Sequence, residues 1–223
     1  MKYASEPETS DSNEAWENLE NMMRLCYSTT SPYVRKVSVC ILELGLDARV
    51  EPVPTNPWDP ETDLGSINPL GKVPTLVTDD GQVLFDSPVI CEYLDSLVAE
   101  PTLYPTAGAP RWQALRLQAL ADGLLDASVS RFLELNKRAQ DERSEMWLER
   151  QLVIMRRALD AMEAEVGSFS EAITIGAIAT GCALGYVAFR FADLGWHEGR
   201  PALAAWYAGF SDRPSMQATV PQE

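Results

Sequence analysis

The sequence predicts an α/β domain followed by an all-α domain. Three observations predict it. Between residues 23 and 53, an apolar run, a helical pattern and a second apolar run follow one another. Between residues 73 and 97 come two short apolar runs around the turn Asp79-Asp80-Gly81, and then a second helical pattern. Beyond the proline-rich residues 101–110, every periodic segment has helical spacing. The order is βαβ–ββα, then helices. A strand–helix–strand unit at this spacing implies two parallel strands joined by a crossover helix.

In chain order, residues 1–21 come first. Six carboxylates fall in residues 1–22 against Lys2 alone, and apolar residues are few. That composition predicts an acidic, disordered extension, with residues 14–20 the one stretch of helical character. No charged-then-apolar leader is present, so the chain reads as cytoplasmic. The domain expected over residues 22–100 starts with strand one, residues 23–27. The corner Thr30-Ser31-Pro32-Tyr33-Val34-Arg35-Lys36 follows. Ser31 sits where an N-cap belongs, and Pro32 falls at the first helical position, where its missing N–H costs nothing. The helix is expected over 31–44, closed by Gly45. Strand two is expected over 48–53, and residues 54–67 read as irregular loop.

Strands three and four are expected over 73–78 and 82–85. A proline at the head of a strand is tolerated only at special places, which makes Pro74 a candidate cis-proline. Asp86-Ser87-Pro88 then repeats the serine–proline device, and a helix runs on to residue 97. Residues 101–110 read as a linker and 111–223 as the helical domain, with helices over 111–135, 144–166, 173–194 and 201–210. Gly123 inside the first of these costs about 1 kcal/mol of helix propensity, so a close packing contact or a ligand is expected there. The methionines of the second read as core filler.

Composition excludes several functions. A net charge of −15 argues against nucleic acid as a partner. No apolar run reaches the roughly 18 residues that span a membrane. Cys26, Cys40, Cys91 and Cys182 lie in apolar stretches without CxxC spacing and read as buried free thiols. His197 is the single histidine, which rules out multi-histidine metal sites, and no nucleophile elbow accompanies it. What remains is two serine–proline helix starts. A helix N-terminus offers unpaired N–H groups and about half a positive charge, so each corner suits an anion.

Three motifs, Ser31-Pro32-Tyr33-Val34-Arg35, Asn68-Pro69-Leu70-Gly71-Lys72-Val73-Pro74 and Asp86-Ser87-Pro88, occur in this order and at these spacings. Together they resemble the glutathione S-transferase superfamily, over about nine-tenths of the chain. Ala119-Leu120-Ala121-Asp122-Gly123-Leu124-Leu125-Asp126 adds a likeness to small bacterial serine-type members. The resemblance implies a thioredoxin-like first domain, a helical second domain and a homodimer. It implies a cytoplasmic detoxification enzyme that joins glutathione to a small apolar electrophile, with glutathione as co-substrate and no metal or other cofactor. Ser31 would be the catalytic hydroxyl on the thiolate, with Ser28, Thr29 and Thr30 as neighbouring alternatives. Tyr33, Lys72, Val73, Pro74, Asp86 and Ser87 would bind glutathione. The Trp58 loop and the helix over 111–135 would line the electrophile pocket. Glutaredoxins place Cys-Pro-Tyr-Cys at this corner. Ser31 and Val34 occupy the two cysteine positions, so that redox chemistry is not expected. The family's capping box on the central helix is incomplete, since Thr174 is followed at the third position by Ala177 and not by Asp. A non-catalytic binding or scaffold protein of the same fold is the alternative reading.

Overall fold

The structure is a computed structural model that describes residues 22–100, 103–170 and 172–222. The expectation of a disordered acidic extension over 1–21 lies outside the described residues. Strand β1, Met23–Tyr27, alternates toward one core, with Met23 and Leu25 buried and Arg24 exposed. Helix α1 follows over Pro32–Glu43, with Ser31 as N-cap and Leu44 as C-cap. Past the cap, Gly45 takes φ +65, a left-handed value that suits glycine. Gly45 N–H donates to Leu42 O, and Leu46 N–H to Ile41 O. These are the two bonds of a Schellman ending, and Leu46 and Ile41 share the same core.

Residues 48 and 49, expected in strand two, instead belong to a tight turn of 3-10 helix, Asp47–Arg49, and β2 runs Val50–Pro54. Strand β3 is short, Thr75–Val77, because Pro74 has no N–H for the ladder. Strand β4 is Val83–Leu84. Two short helices were not anticipated: α2, Leu64–Ile67, in the supposed loop, and a last one near the C-terminus. Helix α3 spans Ser87–Ser96.

The sheet order is β2-β1-β3-β4, with β1 and β2 parallel and the other pairs antiparallel. The helical domain follows: α4 Gly108–Lys137, α5 Glu145–Glu165, α6 Ile175–Arg190, α7 Pro201–Ser211 and α8 Pro214–Ala218. Among the described residues no helix is long and apolar enough to cross a membrane. Helix α6 is buried from Ile175 through Val187 and forms the centre of the domain. It begins on half a capping box: Thr174 Oγ1 accepts the Ala177 N–H at 3.4 Å.

The two domains share a core. Leu25, Ile41, Leu76 and Ile90 of the first cluster with Ala114, Ile178, Cys182 and Met216 of the second. A separate cluster, including Leu124, Met155, Met162 and Leu184, fills the helical domain. All four cysteines are free thiols and buried.

Candidate functional site

The strand register gathers the three motifs at one edge of the sheet. Tyr27, at the end of β1, stands opposite Pro54. Cys26 stands opposite Thr75, at the start of β3, and Leu84, at the end of β4, opposite Leu76. The chain therefore leaves β1 and β4, and enters β3, on the same side. Ser31, Val73–Pro74 and Asp86–Ser87 all sit on those connections.

Ser31 is an N-cap in the strict sense. Its Oγ accepts the Val34 N–H at 3.3 Å, which leaves the hydroxyl proton for another acceptor. Among the neighbouring hydroxyls, Ser28 and Thr30 bond each other at 3.4 Å. Cys26, the nearest thiol in sequence, is 6% exposed within β1 and offers no nucleophile.

On the β3 side, the Val73–Pro74 peptide is cis, as the sequence suggested. Lys72 is exposed, and its carbonyl accepts from Asn68 Nδ2 at 3.0 Å and from Thr75 Oγ1 at 2.9 Å. Asn68, 1% exposed, also donates to Thr75 Oγ1 at 2.9 Å and accepts the Leu70 N–H at 3.0 Å. One buried amide thus fixes the loop that carries Lys72, Val73 and Pro74. Asn68 belongs to the second motif, and an Asn-Pro-Leu-Gly turn is the signal in the sequence for a side chain bonding its own loop.

On the β4 side one detail differs from expectation. Ser87 is not the cap. It occupies the first helical position, is 1% exposed, and Asp86 holds the cap position without a side-chain cap bond. Asp86 is exposed, and the first turn of α3 keeps N–H groups that no capping side chain closes off.

Tyr33 turns toward the helical domain and donates its hydroxyl to Asp126 on α4. Burial, and then the Asp126 carboxylate, push the phenol far above its ordinary range, so it stays protonated. Beside it, Lys36 is fully buried and pairs with both oxygens of Asp122, at 2.6 and 2.8 Å. Burial holds the Asp122 carboxyl above the usual range, against the pull of Lys36. Asp122 and Asp126, four residues apart on one helix face, were not anticipated as anchors, since nothing in a single sequence says what faces a helix across a domain boundary. At Gly123 between them, an added Cβ would meet nothing within 4 Å. The expected close packing contact is therefore absent there.

The cavity at this corner lies on the β2 side of Ser31. It encloses about 450 Å³ between α1, β2 and the C-terminal segment, with Ser28, Ser31, Arg35, Leu42, Pro54 and Val220 among its walls. Neither Trp58 nor α4 lines it. Trp58 is 60% exposed, and the Lys137 ammonium at the end of α4 lies 5.3 Å from its ring centre. Arg35, 7% exposed, donates to Met216 O at 3.1 Å and Thr219 Oγ1 at 3.4 Å, and so ties the C-terminal segment over the cavity.

Comparison with known proteins agrees with this architecture. A family model described as glutathione S-transferase, N-terminal domain, matches residues 30–97, and one described as glutathione S-transferase, C-terminal domain, matches residues 145–209. The chain is 35% identical over 202 residues to the uncharacterized GST-like protein YibF of Escherichia coli, covering 89% of this chain and 98% of that one. It is 37% identical over 105 residues to a stringent starvation protein A homolog of Pasteurella multocida, about half of each chain. Among solved structures, a glutathione transferase family member from Pseudomonas fluorescens with bound glutathione aligns at a TM-score of 0.85 and 46% identity, over 90% of this chain and 100% of that one. A glutathione S-transferase from Methylobacillus flagellatus, also with glutathione bound, aligns at 0.84 and 37% identity, over the same shares. With the fold, the three-motif edge and these matches together, the chain belongs to the glutathione S-transferase family.

Proposed function

We propose that this protein is a glutathione transferase that activates the glutathione thiol for attack on a small apolar electrophile. The observation that carries the reading is the position of Ser31. In the sheet order it follows β1, with β2 on one side and β3 and β4 on the other, which supports a site in two halves. Toward β3 and β4 lie Val73–Pro74 and Asp86–Ser87, suited to a peptide with carboxylate and ammonium ends. Toward β2 lies the cavity. Glutathione would lie over the first half with its sulfur at Ser31, and the electrophile would enter from the second.

Each proposed role follows from chemistry. The Val73 backbone pairs with the cysteinyl part of the peptide. Asp86 accepts from the ammonium, and the open first turn of α3 at Ser87 receives the adjacent carboxylate. Lys72 stands on the side of the other carboxylate, and Tyr33 shapes the corner through Asp126. A free thiol ionises near pH 8.5, and a helix N-terminus with a hydroxyl donor lowers that value. The thiol proton passes to solvent. The sulfur lone pair then forms the bond to carbon, and the leaving group departs with the electrons of the bond that breaks. The protein would act as a cytoplasmic homodimer in detoxification.

The second reading is a non-catalytic binding or scaffold protein of the same fold. Steady-state conjugation of glutathione to a chlorodinitrobenzene separates the two. The transferase reading expects saturable turnover, and Val220→Glu at the cavity wall raises the KM for the electrophile while the glutathione Kd stays unchanged. Glutathione binding without turnover of any aryl halide contradicts it and favours the second reading.

A further inference from the structure

In the proposed chemistry, thiol activation depends on where the first turn of α1 sits. Pro32 has no N–H to donate. The Val34 N–H goes to Ser31 Oγ at 3.3 Å, and the Arg35 N–H to Ser31 O at 3.0 Å. Among the described residues no acceptor takes the Tyr33 N–H, so it is the open donor of this turn.

The Tyr33 side chain is not free to join it. A phenol has one proton to donate, and Tyr33 gives it to Asp126 Oδ1 on α4. One turn further along α1, Lys36 gives its ammonium to both oxygens of Asp122. Tyr33 and Lys36 have the i, i+3 spacing of one helix face, and Asp122 and Asp126 the i, i+4 spacing. One bond alone would let α1 pivot against α4, and two bonds a turn apart fix its rotation. The two differ in setting. Lys36 is fully buried, so losing its partner strands a buried charge, whereas Asp126 is exposed and can be changed without that penalty.

We propose, on the transferase reading, that Asp126 is a positioning residue of the thiol site: through the Tyr33 hydroxyl it fixes the first turn of α1, and with it Ser31 Oγ and the open Tyr33 N–H. This role makes thiol activation in the first domain depend on a residue of the second. Charge and position predict opposite signs. Removing a carboxylate beside the site favours the thiolate by charge alone and lowers the thiol pKa. Releasing the turn lets Ser31 drift from the sulfur and raises it. A misplacement of about 1 Å can cost about 100-fold in rate, so a partial loss of about tenfold is expected.

The proteins to compare are the wild type, Asp126→Ala, Tyr33→Phe, the double variant, and Asp126→Asn, whose amide oxygen still accepts from the phenol. In the ligand-free proteins, hydrogen–deuterium exchange at the Val34 and Arg35 amides reads the first turn. In the glutathione complexes, thiolate absorbance reads the thiol pKa, and conjugation to a chlorodinitrobenzene gives kcat and KM. Asp126→Ala and Tyr33→Phe are expected to speed exchange at those amides about fivefold or more. Both raise the thiol pKa and lower kcat about tenfold, with the electrophile KM unchanged. Asp126→Asn tracks the wild type, and the double variant loses no more than either single one. Circular dichroism reports folding, and Tyr33→Phe decides alone if Asp126→Ala does not fold. The proposal is overturned by unchanged exchange in folded Tyr33→Phe, or by Asp126→Asn behaving as Asp126→Ala. Where the wild-type thiol is shifted, an unmoved or lowered thiol pKa in Asp126→Ala also overturns it. An unshifted thiol in the wild type overturns the transferase reading instead, and exchange at the two amides then decides the role of Asp126 by itself.

Discussion

Ser31 would do two jobs that can be separated at the level of one side chain. As a cap it accepts the Val34 N–H, and in the proposed chemistry it donates to sulfur. Ser31→Ala removes both and is expected to cost about 1 kcal/mol of stability in a urea melt. Ser31→Asp keeps the cap acceptor but has no proton to give at neutral pH. It is expected to melt like the wild type while conjugation is lost; full conjugation in that variant would assign the donor role elsewhere. Glu43 offers a second residue-scale test. Arg213 donates to it at 2.7 and 2.9 Å, and Ser215 donates as well. These bonds, Arg213 first, hold its carboxyl below the ordinary 4.5 although burial opposes them. A lowered folded value means that the stabilisation is complete above about pH 4.5 and is lost as pH falls through the folded value. Thermal melts between pH 7 and pH 3 should therefore fall more steeply for the wild type than for Glu43→Gln, and parallel curves would remove Glu43 from the account.

At the scale of elements, α6 shows what close packing demands of a sequence. A Cβ on Gly185 would come within 2.2 Å of the Arg35 guanidinium and 3.0 Å of the Tyr207 hydroxyl, and one on Gly181 within 2.6 Å of the Phe210 ring. Gly185→Ala should destabilise the protein by about 1–3 kcal/mol, because the displaced groups are a buried arginine and a half-buried tyrosine. Gly123→Ala on α4 should do the reverse, gaining about 0.5–1 kcal/mol, since its site is open and alanine is the better helix former. Chemical denaturation of the pair gives opposite signs if the helices sit as described. Much of this scale was legible in advance. Ser31-Pro32 marked the start of α1, Ser144 the start of α5, and the run from Ile173, uncharged until Arg190, marked the buried helix. The misses have physical causes. Residues 48 and 49 looked like strand by composition, yet a 3-10 turn closes there through Arg49 N–H to Leu46 O. Helix α2 is too short for any periodicity to register, and Ser87 was read as a cap because its chain neighbour Pro88 imitates Pro32.

For the whole molecule, the two domains are joined by charge as well as by the shared core. Lys36 is fully buried and Asp122 is its partner across the boundary, so Asp122→Asn leaves an ammonium without a counter-charge. Breaking such a pair typically costs about 3–5 kcal/mol, and a calorimetric melt should show that loss, with both domains still unfolding in one transition. None of this was legible beforehand, because single-sequence patterns describe faces and not what they face. The corner that forms the candidate site was legible where local motifs carried it, at Ser31, Val73–Pro74 and Asp86, and illegible where it depended on distant chain, as with the C-terminal segment over the cavity. In the proposed chemistry Ser31 lies on the sulfur of bound glutathione and lowers its pKa. The direct measurement is the ultraviolet absorbance of the thiolate in the protein–glutathione complex, titrated against pH for wild type and Ser31→Ala. A thiol pKa well below about 8.5 in the wild type, rising toward it in the variant while glutathione stays bound, is the predicted result. An unshifted pKa in the wild type, or the same lowered value in both proteins, would contradict it.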